Sequence, residues 1–400
     1  MKKQIALAIG LAVLSTGALA SKARLEALGQ DGEGSMFLDD SRNVMMNPAV
    51  LNYHKDFVTM EWGDTSSTLD SASGPRAEGG LFKAAGNMVY GIYFGNESNL
   101  SDLARLDSGT PEESNTTDFF VAGDAGVQWG ARLSYEDYEN KQGNDDQSAS
   151  SMGIKLGIIS GDIEGFLDFG LGSKAENGDD EYEGKGSMDI GITYGQGDVD
   201  YMIKVKTAAV EDEDGNEIKG SETKVAVAKT YKLNDKATMW ASAEYNMNTY
   251  ECDDAAFDAV CVLETNSGVP AALGGTDTAV GENKLTYLPV SIALEVIAKE
   301  WLTLRGSVTS NVMGTYENDD GDKATIADST VVAAGATLSF GDLSFDGMIG
   351  NGGKSCINAT TKAPTTENNA AAVCSGNTNS ENGVLNTQNL LSRVSMTYKF

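Results

Sequence analysis

The feature that most limits the possible folds is an alternation of apolar and polar residues with a period of two, from about residue 56 to the C-terminus. Residues 285–297 show it well, because apolar side chains occupy every second position from Leu288 to Val296. A period of two places the apolar side chains of a strand on one face and the polar ones on the other. The pattern therefore predicts an all-β chain with two-faced strands.

The connections between these strands alternate between short and long. The short ones are rich in Gly, Asn and Asp, which tolerate the positive φ angles of hairpin turns. Seven of them lie at 85–87, 123–126, 161–162, 195–198, 234–235, 299–300 and 341–342. Eight longer polar stretches lie near 64–76, 96–116, 139–147, 173–184, 209–219, 247–284, 314–326 and 352–386.

Seven turns and eight loops separate sixteen strands. An even number of strands, with short turns at one end and long loops at the other, is typical of transmembrane antiparallel β-barrels of the Gram-negative outer membrane. We predict such a barrel over residues 56–400, with about 14–16 strands and sixteen by the hairpin count. The alternative is a soluble β-sandwich, whose strands also alternate but whose loops need not alternate in length.

The first twenty residues have the pattern of a secretory signal peptide. Lys2 and Lys3 precede an apolar run, and Ala18 and Ala20 form a small-residue cleavage site before Ser21. Export with cleavage near Ala20 is therefore expected. No later apolar run reaches the length of a membrane-spanning helix, whereas an exported chain can cross the outer membrane as a closed barrel.

The C-terminal strand supports the same localisation. Tyr398 and Phe400 share one face with other apolar residues, and the chain ends on an aromatic side chain. This ending resembles the signal that the bacterial barrel-assembly machinery recognises in a last strand. The expected partners are that machinery, outer-membrane lipid and lipopolysaccharide, and a small-molecule solute.

Four cysteines occur in two local pairs, Cys252 with Cys261 and Cys356 with Cys374. Three connectivities are possible, and the local pairing closes the two shortest loops. Two structural disulfides suit an exported chain. Because no Cys-x-x-Cys spacing occurs, a zinc site is disfavoured, and we predict no metal.

The charge balance excludes one class of partner. The chain has 29 Lys+Arg against 59 Asp+Glu, a formal net charge of −30, whereas nucleic-acid binding needs a basic face. His54 is the single histidine, so a Ser-His-Asp or Cys-His site would have to use it, and we predict no enzyme and no cofactor. The acidic stretches 211–215 and 318–321 fail the EF-hand spacing and are interpreted as solvated loops.

Residues 21–55 lack the alternation and form a separate N-terminal segment before the barrel, which either plugs the lumen or hangs in the periplasm. Residues 32–51 contain an acidic pair, an Asn-Val step and an Asn-Pro-Ala step, in that order, just before the first strand. This order resembles the N-terminal segment of the long-chain fatty acid transporter family of outer-membrane barrels. The matching residues that we predict to act as a plug or gate are Asp39, Asp40, Asn43, Asn47, Pro48 and Ala49.

The resemblance implies a small hatch inside a fourteen-stranded barrel, with hydrophobic ligands that bind above the hatch and leave sideways through a gap in the wall. The chemistry of Asn47-Pro48 gives an argument that does not depend on the family resemblance. Proline removes a backbone donor and fixes φ, and Asn can turn or cap the chain, so the pair marks the end of the segment and the entry to the first strand. A turn without a transport role fits the pair as well as a gating role does.

Charged residues on the polar strand faces are predicted to line the lumen. The bases and acids are equal in number, so the net negative charge lies mainly in the loops, where it attracts cations. The predicted lumen residues are Arg132, Lys155, Glu164, Asp168, Asp189, Asp200, Lys204, Lys206, Glu244, Glu295, Arg305 and Arg393.

Three functions fit these observations. The leading hypothesis is an outer-membrane channel or transporter for passive uptake of small hydrophobic solutes, gated by the N-terminal segment. The first alternative is an open diffusion porin with cation preference, since a sixteen-stranded barrel leaves an aqueous channel unless something fills it. The second is a surface protein without transport, acting through its long loops at 247–284 and 352–386.

Overall fold

The computed structural model describes residues 21–63, 77–96, 116–142, 145–178, 180–252, 281–317, 319, 321, 323–327, 330–351, 356–359, 372–374 and 390–400. Sixteen antiparallel strands pair in chain order, and the first pairs with the last, so the sheet closes into a barrel. Phe57 lies opposite Lys399 where the barrel closes. The predicted count of sixteen is confirmed, and the fourteen strands that the family resemblance implied are wrong.

The first eleven strands of the barrel are β1 Phe57–Trp62, β2 Ala77–Ala85, β3 Met88–Phe94, β4 Thr117–Asp124, β5 Gln128–Gln142, β6 Asp145–Ser160, β7 Ile163–Asn177, β8 Asp180–Gln196, β9 Val199–Asp212, β10 Glu217–Asn234 and β11 Ala237–Cys252. The other five are β12 Gly281–Lys299, β13 Leu302–Glu317, β15 Val331–Phe340, β16 Leu343–Asn351 and β19 Leu390–Lys399.

Three short strands extend the sheet beyond the barrel. They are β14 Lys323–Ala327, β17 Cys356–Ala359 and β18 Ala372–Cys374. β14 pairs with the end of β13 and with β17, and β17 pairs with β18. Before the barrel, helix α1 spans Lys22–Ala27, and two 3-10 turns span Ser41–Val44 and Pro48–Asn52.

The seven short connections lie at one end of the barrel, here called the turn end, and the longer ones lie at the loop end. Three of the eight expected long loops are in fact tight hairpins, because β5, β7 and β9 extend to Gln142, Asn177 and Asp212. These strands continue through polar residues because the ladder is held by backbone hydrogen bonds, which do not require an apolar face.

The outer face of the barrel is apolar. Outward positions carry exposed large side chains at mid-height, such as Leu81, Leu156 and Ile203. Outward aromatic residues lie near the turn end at Tyr194, Tyr201, Trp301, Phe340 and Tyr398, and further up the strands at Trp62, Phe94 and Tyr135. An apolar band between aromatic girdles is the exterior that a bilayer requires.

For the cysteine pairs, the described residues give backbone positions only. Register places Cys356 opposite Cys374 between β17 and β18. Residues directly opposite in an antiparallel pair lie about 4.5–5.5 Å apart at Cα, which is the separation that a disulfide spans. Cys252 ends β11, whereas Cys261 lies outside the described residues, so both disulfides stay predictions.

Among the described residues, no helix has the length and apolar character needed to span a membrane.

Candidate functional site

The N-terminal segment (residues 21–55) packs against the inner face of the barrel. Helix α1 lies on β13, β15, β16 and β19, and the second 3-10 turn lies on β4, β5 and β6. Almost every residue of 21–52 is buried or half-buried; only Asp31 and Asp39 are exposed. The segment therefore crosses the lumen from one wall to the other.

Arg42 fastens the middle of the segment to β1–β3. Its guanidinium donates to the hydroxyl of Tyr93 at 2.6 Å and to the carboxylate of Glu78 at 3.3 Å. The carboxylates of Glu33 and Glu61 lie 2.9 and 3.7 Å away. Charge-assisted bonds of this kind are stronger than neutral ones, and the side chains of Arg42, Glu61 and Glu78 are shielded from water. Burial alone would raise the pKa of Glu33, but Arg42 and Lys22 outweigh it and hold that pKa well below its usual range.

Arg24 makes the equivalent connection to the opposite wall. It pairs with Asp40 of the segment at 2.8 Å and with Glu295 of β12 at 3.0 Å. Glu295 also pairs with Arg305, whose other nitrogens contact Asp346 and Thr337. Asp40 in turn caps the first 3-10 turn, because its side chain accepts from the backbone of Arg42. One network therefore orders the segment and joins it to β12, β13 and β16.

The Asn-Pro-Ala step rests on a flat area of the wall made by two glycines. Gly130 of β5 and Gly157 of β6 lie opposite each other in register. A Cβ at Gly130 would collide with the carbonyl of Pro48, and one at Gly157 with the side-chain oxygen of Asn47. Asn47 caps the second 3-10 turn, as its oxygen accepts from Ala49. The absence of two side chains thus lets the turn reach the sheet.

An apolar cluster lies beneath the two 3-10 turns. Val44, Val50 and Leu51 of the segment pack against inward-facing aromatic side chains of β1–β4. The rings of Phe82 and Phe120 meet edge to face with centroids 5.3 Å apart. Burial of these side chains is a large favourable contribution to holding the segment in place, roughly 1.5–3 kcal/mol for each one fully buried.

The six predicted plug residues all lie in this packed region except one. Asp40, Asn43, Asn47, Pro48 and Ala49 are buried. The side chain of Asn43 donates to the carbonyl of Leu38 and accepts from the backbone of Ser35, which folds the segment on itself. Asp39 is exposed and pairs with His54 at 2.7 Å.

The twelve predicted lumen residues lie on the inner face, in three groups. Arg132 and Lys155 both donate to the carbonyl of Met45, so they hold the segment. Glu295, Arg305 and Arg393 contact α1 or its partners. The third group lines the wall formed by β7–β11: Glu164, Asp168, Asp189, Asp200, Lys204, Lys206 and Glu244.

Several residues that hold the segment were not among the predicted ones. They are Lys22, Arg24, Arg42, Glu61, Glu78, Asp118, Asp346, Gly130 and Gly157. A signal existed for two of the acids, because Glu61 shares a strand face with Thr59, and Asp346 shares one with Ser344. The three bases stand in a segment without periodicity, where no face can be assigned.

Burial raises the pKa of Glu26 in α1 to about 7, although Arg393 and Lys22 lower it. A folded-state pKa above the unfolded one gives stability that is present at low pH and lost as the pH rises through about 7. We therefore expect α1 to be more protected from hydrogen exchange at about pH 6 than at about pH 8, after correction for intrinsic rates. Glu26→Gln should reduce this difference, and an unchanged difference in that variant would contradict the assignment.

Acidic residues and the histidine do not gather as a metal site within the described parts of the chain. The geometry defines a closed sixteen-stranded barrel whose lumen is partly filled by its own N-terminal segment. No protein-family model and no curated protein sequence matches the chain.

Three solved structures illustrate the likeness of the fold. CdiB from Escherichia coli aligns over 86% of this chain and 63% of its own, at 13% identity and a TM-score of 0.44. The outer membrane channel DcaP of Acinetobacter baumannii aligns over 86% and 95%, at 10% identity and a TM-score of 0.39. The CymD monoaromatic hydrocarbon channel aligns over 97% and 98%, at 10% identity and a TM-score of 0.38.

Proposed function

We propose that this protein is a channel of the bacterial outer membrane for the passive entry of small solutes, and that residues 21–55 act as a plug that narrows its lumen. The observation that carries the proposal is the buried attachment of this segment to opposite walls of a barrel with an apolar exterior. A sixteen-stranded barrel would otherwise enclose an aqueous channel. A segment held across it therefore determines which solutes pass.

The proposed orientation follows from the two ends of the barrel. The short turns and both chain ends face the periplasm, and the loop end faces outside, as in bacterial outer-membrane barrels. Removal of the signal peptide near Ala20 would leave Ser21 as the first residue. Tyr398 and Phe400, at the turn end, serve in the proposal as the assembly signal.

Single-channel conductance in planar bilayers tests the proposal. The intact protein should show a small conductance, and a form lacking residues 22–50 should show one several times larger, because the lumen then opens to the full barrel. Heat-modifiable gel migration shows that each form is folded. A matched deletion of residues 213–216 at the loop end should leave the conductance unchanged.

The other functions predict different results. Equal conductance in both forms would overturn the plug and favour an open porin. No conductance in either folded form would overturn the channel and favour a surface protein that acts through its loops.

A second candidate is uptake of hydrophobic solutes with displacement of the segment, as the fatty acid transporter resemblance implies. The observation in its favour is the aromatic cluster of Phe57, Phe82 and Phe120, which faces the lumen beneath the segment. Displacement of Val50 and Leu51 would expose those rings to an apolar ligand. This candidate predicts that intact protein is silent and that a fluorescent fatty acid binds more tightly to the form lacking residues 22–50.

A further inference from the structure

The buried charges of the lumen differ in how much water they meet. On β1–β5 and β13–β16 both members of the principal ion pairs are sealed: the side chains of Arg132 with Asp118, and Arg305 with Asp346, are 0–4% exposed. On β8–β10 both members stay accessible. Lys204 with Asp189 are 22% and 15% exposed, and Lys224 with Glu222 are 23% and 25% exposed.

This asymmetry follows from where the segment lies. Its helical turns cover β4–β6 on one side and β13, β15, β16 and β19 on the other. The only exposed residues of 21–52, Asp31 and Asp39, are both acidic. Asp31 also interacts electrostatically with Lys224 of β10.

The β8–β10 wall carries an unusual arrangement of lysines. Lys204 and Lys224 lie directly opposite each other in register, and Lys206 lies opposite both Asp189 and Glu222. Like charges opposite each other repel, so the arrangement costs stability unless counter-charges or water reach it. The two neighbouring carboxylates supply part of that compensation, and the accessibility of all four side chains lets water supply more.

We infer that solutes cross this barrel off-centre, in a water-filled passage between the lysines of β9 and β10 and the acidic face of the segment at Asp31 and Asp39. The passage has charges of both signs on facing walls. The solute class that it fits is therefore small and hydrophilic, and ions pass under the control of Lys204 and Lys224. This inference rests on the proposed channel function and adds the path and the solute class.

The path continues toward the turn end of β7 and β9. Glu164 of β7 lies within electrostatic range of Asp39, His54 and Asp200. Asp39 and His54 belong to the segment, whereas Glu164 and Asp200 lie on the inner face of the barrel. A solute that passes Lys204, Lys206 and Lys224 therefore meets a mainly acidic exit.

Ion selectivity tests the inference. The reversal potential of the intact protein is measured in planar bilayers under a potassium chloride gradient, and compared with that of Lys224→Glu and Lys204→Glu. Each reversal should raise the cation-to-anion permeability ratio on the order of fivefold or more, because a unit charge acts strongly on an ion about 4 Å away. Neutral Lys224→Gln should give a smaller shift in the same direction, and it also serves if the reversal fails to fold.

The matched control is Lys219→Glu, which makes the same charge change on the same strand but on the outer face near the loop end. It should leave the permeability ratio within the error of the intact protein. Channels that conduct normally with an unchanged ratio in the Lys224 and Lys204 variants would overturn the path while leaving the channel function standing. An equal shift in Lys219→Glu would overturn it too. Absence of conductance in both the intact and the 22–50 deleted forms would instead refute the channel function itself.

Discussion

Arg42→Met is expected to release the N-terminal segment from β1–β3 while the barrel stays folded. The substitution keeps much of the side-chain volume and removes the cation that holds three carboxylates. Glu33, Glu61 and Glu78 then remain around Lys22, with too little positive charge between them. Loss of one partner from a buried ion pair costs roughly 3–5 kcal/mol, which is large against the attachment of a short segment.

Two measurements check this expectation. Residues 41–52 should lose their protection from hydrogen exchange, and single-channel conductance should rise toward that of the form lacking residues 22–50. The barrel strands should keep their protection, because the sheet is held by its own backbone ladder. A variant with the exchange and conductance of the intact protein would show that Arg42 does not hold the segment.

A compensating variant separates charge from packing. Adding Glu61→Gln and Glu78→Gln to Arg42→Met removes two of the three carboxylates that lose the charge of Arg42. An uncharged set of similar volume is often as stable as the buried ion network that it replaces. We therefore expect the triple variant to regain part of the protection of residues 41–52. If the loss came from packing alone, the triple variant would be no better than Arg42→Met.

The barrel could be predicted because its signals are local and repeated. In β12, successive side chains from Leu288 to Val296 point alternately to lipid and to the lumen. The apolar and polar residues of the sequence therefore alternate with the same period of two. The turns could be predicted for the same reason, since Gly161 and Gly341 adopt φ angles of 62° and 63° that a tight hairpin demands. The ends of the strands on the loop side could not be predicted, because strands of polar residues form the same backbone hydrogen bonds beyond the membrane.

The attachment of the segment could not be predicted, because its partners are distant in the sequence. Arg24 and Glu295 are 271 residues apart, and nothing in either neighbourhood specifies the other. The Asn-Pro-Ala step was visible as a turn, yet its docking site consists of two glycines whose role is to have no side chain. Such a site has no positive sequence signal, because an absent Cβ matters only once the opposing chain is known.

Those glycines give the second large expected effect. Gly157→Val should push Asn47 and Pro48 away from β6, because a Cβ at position 157 would overlap the side-chain oxygen of Asn47 and lie 2.8 Å from the backbone nitrogen of Ala49. The turn at Asn47 and Pro48 cannot shift sideways onto β5, because Gly130, which lies opposite Gly157, is already in contact with the carbonyl of Pro48. Overpacking of this kind costs about 1–3 kcal/mol, borne by the segment, which is more weakly held than the closed sheet.

The expected result for Gly157→Val is a folded barrel with higher conductance and a protease-sensitive site near residues 45–52. Gly347→Val is the control, because it adds the same side chain within another strand, β16, but on the outer face, where a Cβ would meet open space. It should change neither measurement. Valine suits a strand at both positions. The two variants are therefore compared by whether the new methyl groups meet the segment or open space. Equal behaviour of the two would mean that the Asn-Pro-Ala step does not depend on contact with β6, and that the plug is held by its ion pairs alone.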